Sequence, residues 1–198
     1  MTVLDGQSSL VVLLDCMEGV AKGNLPDASQ REHFTASVTD LLEIAERNGI
    51  PVIRVDVEFR PDHLEVAPAN RYFSGVKAAG RLVAGSVETE PMHEFAERVI
   101  GYPRVVKKRI GAFAGSDIEW VLRGLGRTHL ILAGLITRGA VLSTACQAAD
   151  LDYSVTVISD ACHDPDPEVQ RVLIDSVLPI RASVTSTTDL KRLEKEQS

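Results

Sequence analysis

The side chains best placed to do chemistry in this chain stand at the ends of short apolar runs. Asp15 closes Ser9-Leu10-Val11-Val12-Leu13-Leu14, Asp56 closes a run that begins at Ile50 with Glu58 just beyond it, and Lys107 closes Val105-Val106. The turn Leu135 to Ala140 follows the run Thr128 to Gly134, and Asp160 follows the run Tyr153 to Ser159. A carboxylate and an ammonium on one edge of a fold make an acid/base pair, because each favours the charged form of the other. A turn that leads into a helix adds backbone N–H groups suited to holding an anion.

These runs are short, β-branched and apolar on both sides, as buried strands are, and they alternate with amphipathic stretches of helical period. Helices are expected over Gln30 to Asn48, stopped by Gly49, and over Ser116 to Leu125, Thr137 to Asp152 and Pro167 to Leu178. The strands are Ser9 to Asp15, Ile50 to Asp56, Val105 to Lys107, Thr128 to Gly134, Tyr153 to Ser159 and a last one at Ala182 to Thr185. Six strands interleaved with helices imply an α/β fold: a three-layer α/β/α sandwich around a Rossmann-like six-stranded parallel sheet, in a single domain over residues 1–198. In such a sheet ligands bind beyond the carboxyl ends of the strands, where the chemistry-bearing residues lie. Residues 59–103 are rich in Gly and Pro, with a short helix expected only around Met92 to Val99, and read as a lid, a binding loop or an interface.

The formal charge is −7, and no basic run is longer than Lys107-Lys108-Arg109. Nucleic acid and anionic membrane are therefore poor partners. The N-terminal stretch MTVLDGQSSL has no basic segment followed by a long apolar one, so a cytoplasmic location is expected. Three cysteines, Cys16, Cys146 and Cys162, offer no CxxC spacing and read as small buried residues. The first strand is followed by Asp15-Cys16-Met17-Glu18-Gly19-Val20, which is neither a glycine-rich dinucleotide fingerprint nor a P-loop, and no Gly-x-Ser-x-Gly elbow occurs. No cofactor is expected.

Together, LVVLLD ending at Asp15, the stretch KKRIGAF from Lys107 to Phe113, and GLITRGAVLSTACQAADLDY from Gly134 to Tyr153 resemble the isochorismatase-like hydrolases, also called cysteine hydrolases, over about Leu10 to Val184. The resemblance implies that Asp15 is the acid/base, that Lys107 is its charge partner, and that Ala140 falls on the nucleophilic cysteine. It also implies a cis peptide between Leu135 and Ile136, and an oxyanion hole made by the backbone N–H groups of Ile136 and Ala140. Isochorismatases of the family hydrolyse a vinyl ether with glycine at the cysteine position, the aspartate protonating the alkene. Cys16 points to the opposite face from Asp15 by strand alternation, and Cys146 lies ~9 Å further along the helix than Ala140, so neither replaces the nucleophile.

Among further residues, Phe113, Arg138 and Phe59 are candidates for binding substrate, with Tyr72 and Phe73 as other aromatics able to line a pocket. Arg138 suits a substrate carboxylate or a salt bridge between subunits. Family members that hold a metal do so through an Asp-x-His pair and a later His; here the segment reads Asp56-Val57-Glu58 with His63 beyond, and no metal is expected. Three functions follow. The first is hydrolysis of a small molecule, at a vinyl ether or a C–N bond, by Asp/Lys acid-base chemistry without a cysteine. The second is a cysteine amidase whose nucleophile has become alanine. The third is a non-catalytic binding or scaffold protein. The resemblance implies a homodimer or homotetramer in each case.

Overall fold

A computed structural model describes residues 4–197. Its centre is a six-stranded, all-parallel sheet in the order β3-β2-β1-β4-β5-β6. The strands are β1 (Ser9–Leu14), β2 (Val52–Val57), β3 (Arg104–Lys107), β4 (His129–Leu135), β5 (Ser154–His163) and β6 (Ser183–Thr185). β1 is apolar at every position but its first and wholly buried, because it sits mid-sheet with helices on both faces. The chain lays strands outward from β1 to β3, then crosses back to place β4 on the other side of β1. Strand order therefore reverses between β1 and β4, and a crevice opens there at the carboxyl ends.

The two faces have separate cores. On one, Phe34, Val38, Leu41, Leu42 and Ala45 of α2 (Ala28–Arg47) meet Val11, Leu13, Ile131 and Ala133. On the other, Ile118 and Leu122 of α5 (Ile118–Gly124) and Ala145 and Ala148 of α6 (Leu142–Asp150) meet Leu10, Val12, Leu14 and Val55. Each large apolar side chain buried in this way contributes roughly 1.5–3 kcal/mol. Asp27 caps α2 by accepting the Gln30 N–H at 2.9 Å, and Gly49 at φ 62° turns the chain out of it. At the crevice β1 and β4 lie very close: a Cβ on Gly134, whose φ is 131°, would stand 2.0 Å from the Leu14 carbonyl oxygen. Only glycine fits.

Several elements differ from the sequence reading. A short helix, α1 (Glu18–Asn24), follows β1. The 59–103 loop contains α3 (Arg71–Ala78), a 3-10 turn at Val87–Thr89 and α4 (Ala96–Val99), which is shorter than the helix expected from Met92. Tertiary contacts rather than periodicity hold these pieces: Phe59, Val66, Phe73 and Leu82 form a third small core with Met17 and Val57. The helix expected from Thr137 to Asp152 starts as a π-turn at Thr137–Val141 before becoming α6. Likewise α7 (Pro167–Val172) passes into a π-turn at Leu173–Val177 and a 3-10 turn at Leu178–Ile180.

The strand expected to end at Ser159 continues as β5 to His163, with a register shift opposite Leu132 and Gly134. Asp160 is therefore inside β5, not at its carboxyl end. Its carboxylate accepts the Thr187 N–H at 3.0 Å and the Thr187 hydroxyl at 2.6 Å, which fixes the start of a C-terminal helix, α8 (Thr187–Gln197), that periodicity did not suggest. Among the described residues no helix is long and apolar enough to cross a membrane.

Candidate active site

Asp15 sits one residue past β1 in the left-handed conformation, φ 52°, which turns its carboxylate into the crevice. Oδ1 accepts the Val57 N–H at 3.0 Å and Oδ2 accepts the Lys107 ammonium at 2.6 Å. Lys107, the last residue of β3, is 1% exposed. Its Nζ also donates to the carbonyls of Arg109 at 3.2 Å and Ile110 at 2.8 Å, so all three ammonium hydrogens have acceptors. Burial raises the Asp15 pKa, the Lys107 cation lowers it, and burial prevails, leaving the carboxyl at about 6.

The Leu135–Ile136 peptide is cis. The following turn bonds back on itself, the Gly139 N–H to the Ile136 carbonyl at 3.0 Å and the Val141 N–H to the same oxygen at 3.4 Å. This geometry brings Ile136 and Ala140 to the wall of a cavity of about 360 Å³ that Asp15 and Lys107 also line. Ala140 is 3% exposed and offers only a methyl group. Val20, Val57, Phe73, Leu82 and Ile110 make up an apolar wall, and Tyr72, Asn24, Arg138, Gly139 and Pro165 complete the lining.

Of the aromatics expected to bind substrate, Phe59 and Phe113 do not line the cavity. Phe59 is fully buried in the small core, its ring edge-on to Phe73 at 5.2 Å, because its backbone pairs with the 82–84 segment and turns the ring inward. Phe113 packs against the α6 side of the sheet, 6.0 Å from the Tyr153 ring. Tyr72 and Phe73 take the lining positions instead, aimed by α3, whose N-cap Asn70 accepts the Phe73 N–H at 3.1 Å. Sequence reasoning missed Val20, Asn24, Leu82 and Pro165. The available signal was Gly19: any Cβ there would stand 2.6 Å from the Glu88 Cβ, and its absence lets α1 close against the loop.

Arg138 is paired within the chain, with Asp164. Its Nε donates to both oxygens of Asp164 at 2.9 Å, Nη2 donates to Oδ1, and its backbone N–H donates to Oδ2 at 3.0 Å. Burial opposes the Asp164 charge, but these bonds and the Asp166 N–H hold its carboxyl below the usual range. The residues weighed as metal ligands are engaged elsewhere. Asp56 pairs with Arg54 at 2.8 Å and Arg104 at 2.7 Å, Glu58 pairs with Arg104 at 2.7 Å, and His63 Nε2 meets the Arg81 carbonyl at 2.8 Å. Among the described residues, Glu18, His93 and Glu94 also cluster, but Arg31 binds both carboxylates. Cys16 and Cys162 are buried outside the cavity, and burial pushes both thiols up, Cys162 to about 12.

A doubly wound parallel sheet with a buried Asp–Lys pair and a helix-leading turn at its switch point defines a Rossmann-like α/β protein. The isochorismatase domain model matches residues 9–189, and the chain belongs to that family. It is 35% identical over 207 residues to a ureidoacrylate amidohydrolase of Caulobacter segnis, covering 95% of this chain and 86% of that one. It is 27% identical over 151 residues to an Arabidopsis thaliana protein named a probable inactive nicotinamidase, covering 76% and 77%. A cysteine hydrolase structure from Pseudomonas syringae pv. phaseolicola superposes with a TM-score of 0.84 at 19% identity, over 97% of this chain and 95% of that one.

Proposed function

We propose that the protein hydrolyses a small enol ether with water as the attacking group and Asp15 as the proton donor. One observation carries this reading: the cavity brings together a carboxyl poised at about 6, its lysine partner and an alanine, so it offers a proton but no nucleophile. Asp15 is the one carboxyl among the lining residues. In its protonated form it transfers the proton to the alkene carbon as the ether oxygen stabilises the cation. Water then adds, its surplus proton returns to Asp15, and the hemiketal collapses to carbonyl and alcohol. Lys107 orients the carboxyl and favours the anion left after proton transfer. The apolar wall keeps bulk water from the Asp15–Lys107 pair, which strengthens the electrostatic interaction between them. The test is turnover of an enol-ether panel by wild type, Asp15→Asn and Ala140→Gly. Asp15→Asn abolishes turnover and Ala140→Gly retains it; unchanged activity in Asp15→Asn removes the reading.

A second reading rests on the 35% identity to an amidohydrolase. On that account Ala140 stands where a thiol attacked an amide, Asp15 served as its base, and the Ile136 and Ala140 N–H groups received the oxyanion. Ala140→Cys then gains thiol-dependent hydrolysis of amides or ureides. No gain across a broad panel of both counts against it.

A further inference from the structure

The polar lining of the cavity is divided by depth. Asp15, Lys107 and Ala140 are 6%, 1% and 3% exposed, whereas the Arg138 side chain on the same lining is 47% exposed. Buried Val57, Phe73 and Leu82 belong to the same lining. Arg138 is the second residue of the π-turn that carries Ala140, so its backbone position is tied to the reacting end. Its guanidinium is also clamped. Nε and Nη2 are committed to Asp164, whose side chain is 0% exposed and which also takes two backbone N–H groups. Nη1 has no hydrogen-bond partner among the described residues, although the other two guanidinium nitrogens do.

An arginine held by a buried carboxylate loses little freedom when it binds a second anion, and its remaining N–H groups form strong, planar charge-assisted bonds. We infer that Arg138 is the specificity residue of this cavity and that the ligand carries a carboxylate, bound at Arg138 Nη1, joined by a short apolar spacer to the group that meets Asp15. Asp164 is a positioning residue: it fixes the guanidinium and does not face the cavity lining.

The inference rests on the cavity being the substrate site and names the substrate class that the proposed hydrolase takes. Its test is binding by calorimetry of two acids, 4-(vinyloxy)butanoate and 3-ureidopropionate, and of their uncharged primary amides, to wild type, Asp15→Asn, Arg138→Gln, Arg138→Lys and Arg138→Gln/Asp164→Asn. Asp15→Asn keeps the measurement free of turnover, and the double variant removes the buried carboxylate along with its partner, so loss of fold is not mistaken for loss of recognition.

At least one acid binds wild type and Asp15→Asn about tenfold or more tightly than its amide. That preference disappears in Arg138→Gln and in the double variant, and returns in part in Arg138→Lys. Equal affinity for acid and amide, persistence of the preference in a folded Arg138→Gln, or no binding of either acid overturns the inference. Carboxylate preference through Arg138 without turnover of any substrate sinks the hydrolase reading and leaves this one standing. Turnover of neutral substrates that Arg138→Gln leaves unchanged does the reverse.

Discussion

Titrating turnover against pH asks which form of Asp15 does the work. With the carboxyl at about 6, an acid-catalysed enol-ether hydrolysis runs at its plateau below that value and loses kcat/KM as pH rises through it. Above the limb the loss is about tenfold per pH unit, so only about 10% of the plateau remains near pH 7 and about 1% near pH 8. The limb belongs to Asp15 only if it moves when its neighbour changes. Lys107 donates to Oδ2 at 2.6 Å and pulls the Asp15 pKa down, so Lys107→Met sends the limb to higher pH, by at least about one unit. A protonated Asp15 needs no counterion, so the variant folds on the acid side, where the limb is read. Asp15→Asn abolishes the reaction and with it the limb. The assay is kcat/KM for the best enol ether from about pH 4.5 to 9 at fixed ionic strength, with wild type and Lys107→Met side by side. Activity that climbs through about 6 makes Asp15 a base and refutes the donor role. A limb that stays put or moves to lower pH in Lys107→Met refutes the account of the pair.

The same group sets a stability dependence. The folded pKa of Asp15 lies above its ordinary value, so the proton it retains stabilises the fold fully below about pH 4, and that stabilisation is lost as pH rises through about 6. Wild type minus Asp15→Asn, compared by urea unfolding at about pH 4 and 7, therefore falls by about 2 kcal/mol on the alkaline side; a difference that rises with pH contradicts the burial argument. Gly134→Ala forces a Cβ to within 2.0 Å of the Leu14 carbonyl and costs at least about 3 kcal/mol in unfolding free energy, a loss under about 1 kcal/mol showing that β1 and β4 can part. Ala140→Cys, followed by titration with a thiol reagent near neutral pH, gives a cysteine that reacts much faster than Cys16 or Cys162, both buried with raised pKa values. Equal protection of all of these thiols places residue 140 out of solvent reach.

The strands were legible because burial on both faces leaves an unmistakable mark: Leu10 to Leu14 and Leu130 to Leu135 are unbroken apolar runs. The Asp15 position follows from a strand end, since a parallel sheet puts those ends on one edge, whereas the choice of Lys107 over Lys108 rests on the spacing before Gly111-Ala112-Phe113 that the family resemblance implies. Local pattern failed where partners distant in sequence decide structure. Val66, Phe73 and Leu82 build a small core out of a segment with no period of its own, and Gly19 permits a close approach visible only from Glu88. Asp160 misled because a polar residue reads as a strand end, while here it satisfies Thr187 from the middle of β5. The aromatic choice failed for a related reason. Phe59 lies two residues past β2, and whether its ring turns to the cavity or the interior is set by pairing with the 82–84 segment rather than by alternation.

The three acceptors around Lys107 have a bearing on isotope flow. Every ammonium hydrogen of Lys107 is bonded to Asp15, Arg109 or Ile110, and Asp15 is the one carboxyl that lines the cavity. On the proposed route each cycle spends the Asp15 proton on carbon and reloads it from the attacking water. In deuterated solvent every turnover therefore writes one deuteron into the product at the former alkene carbon.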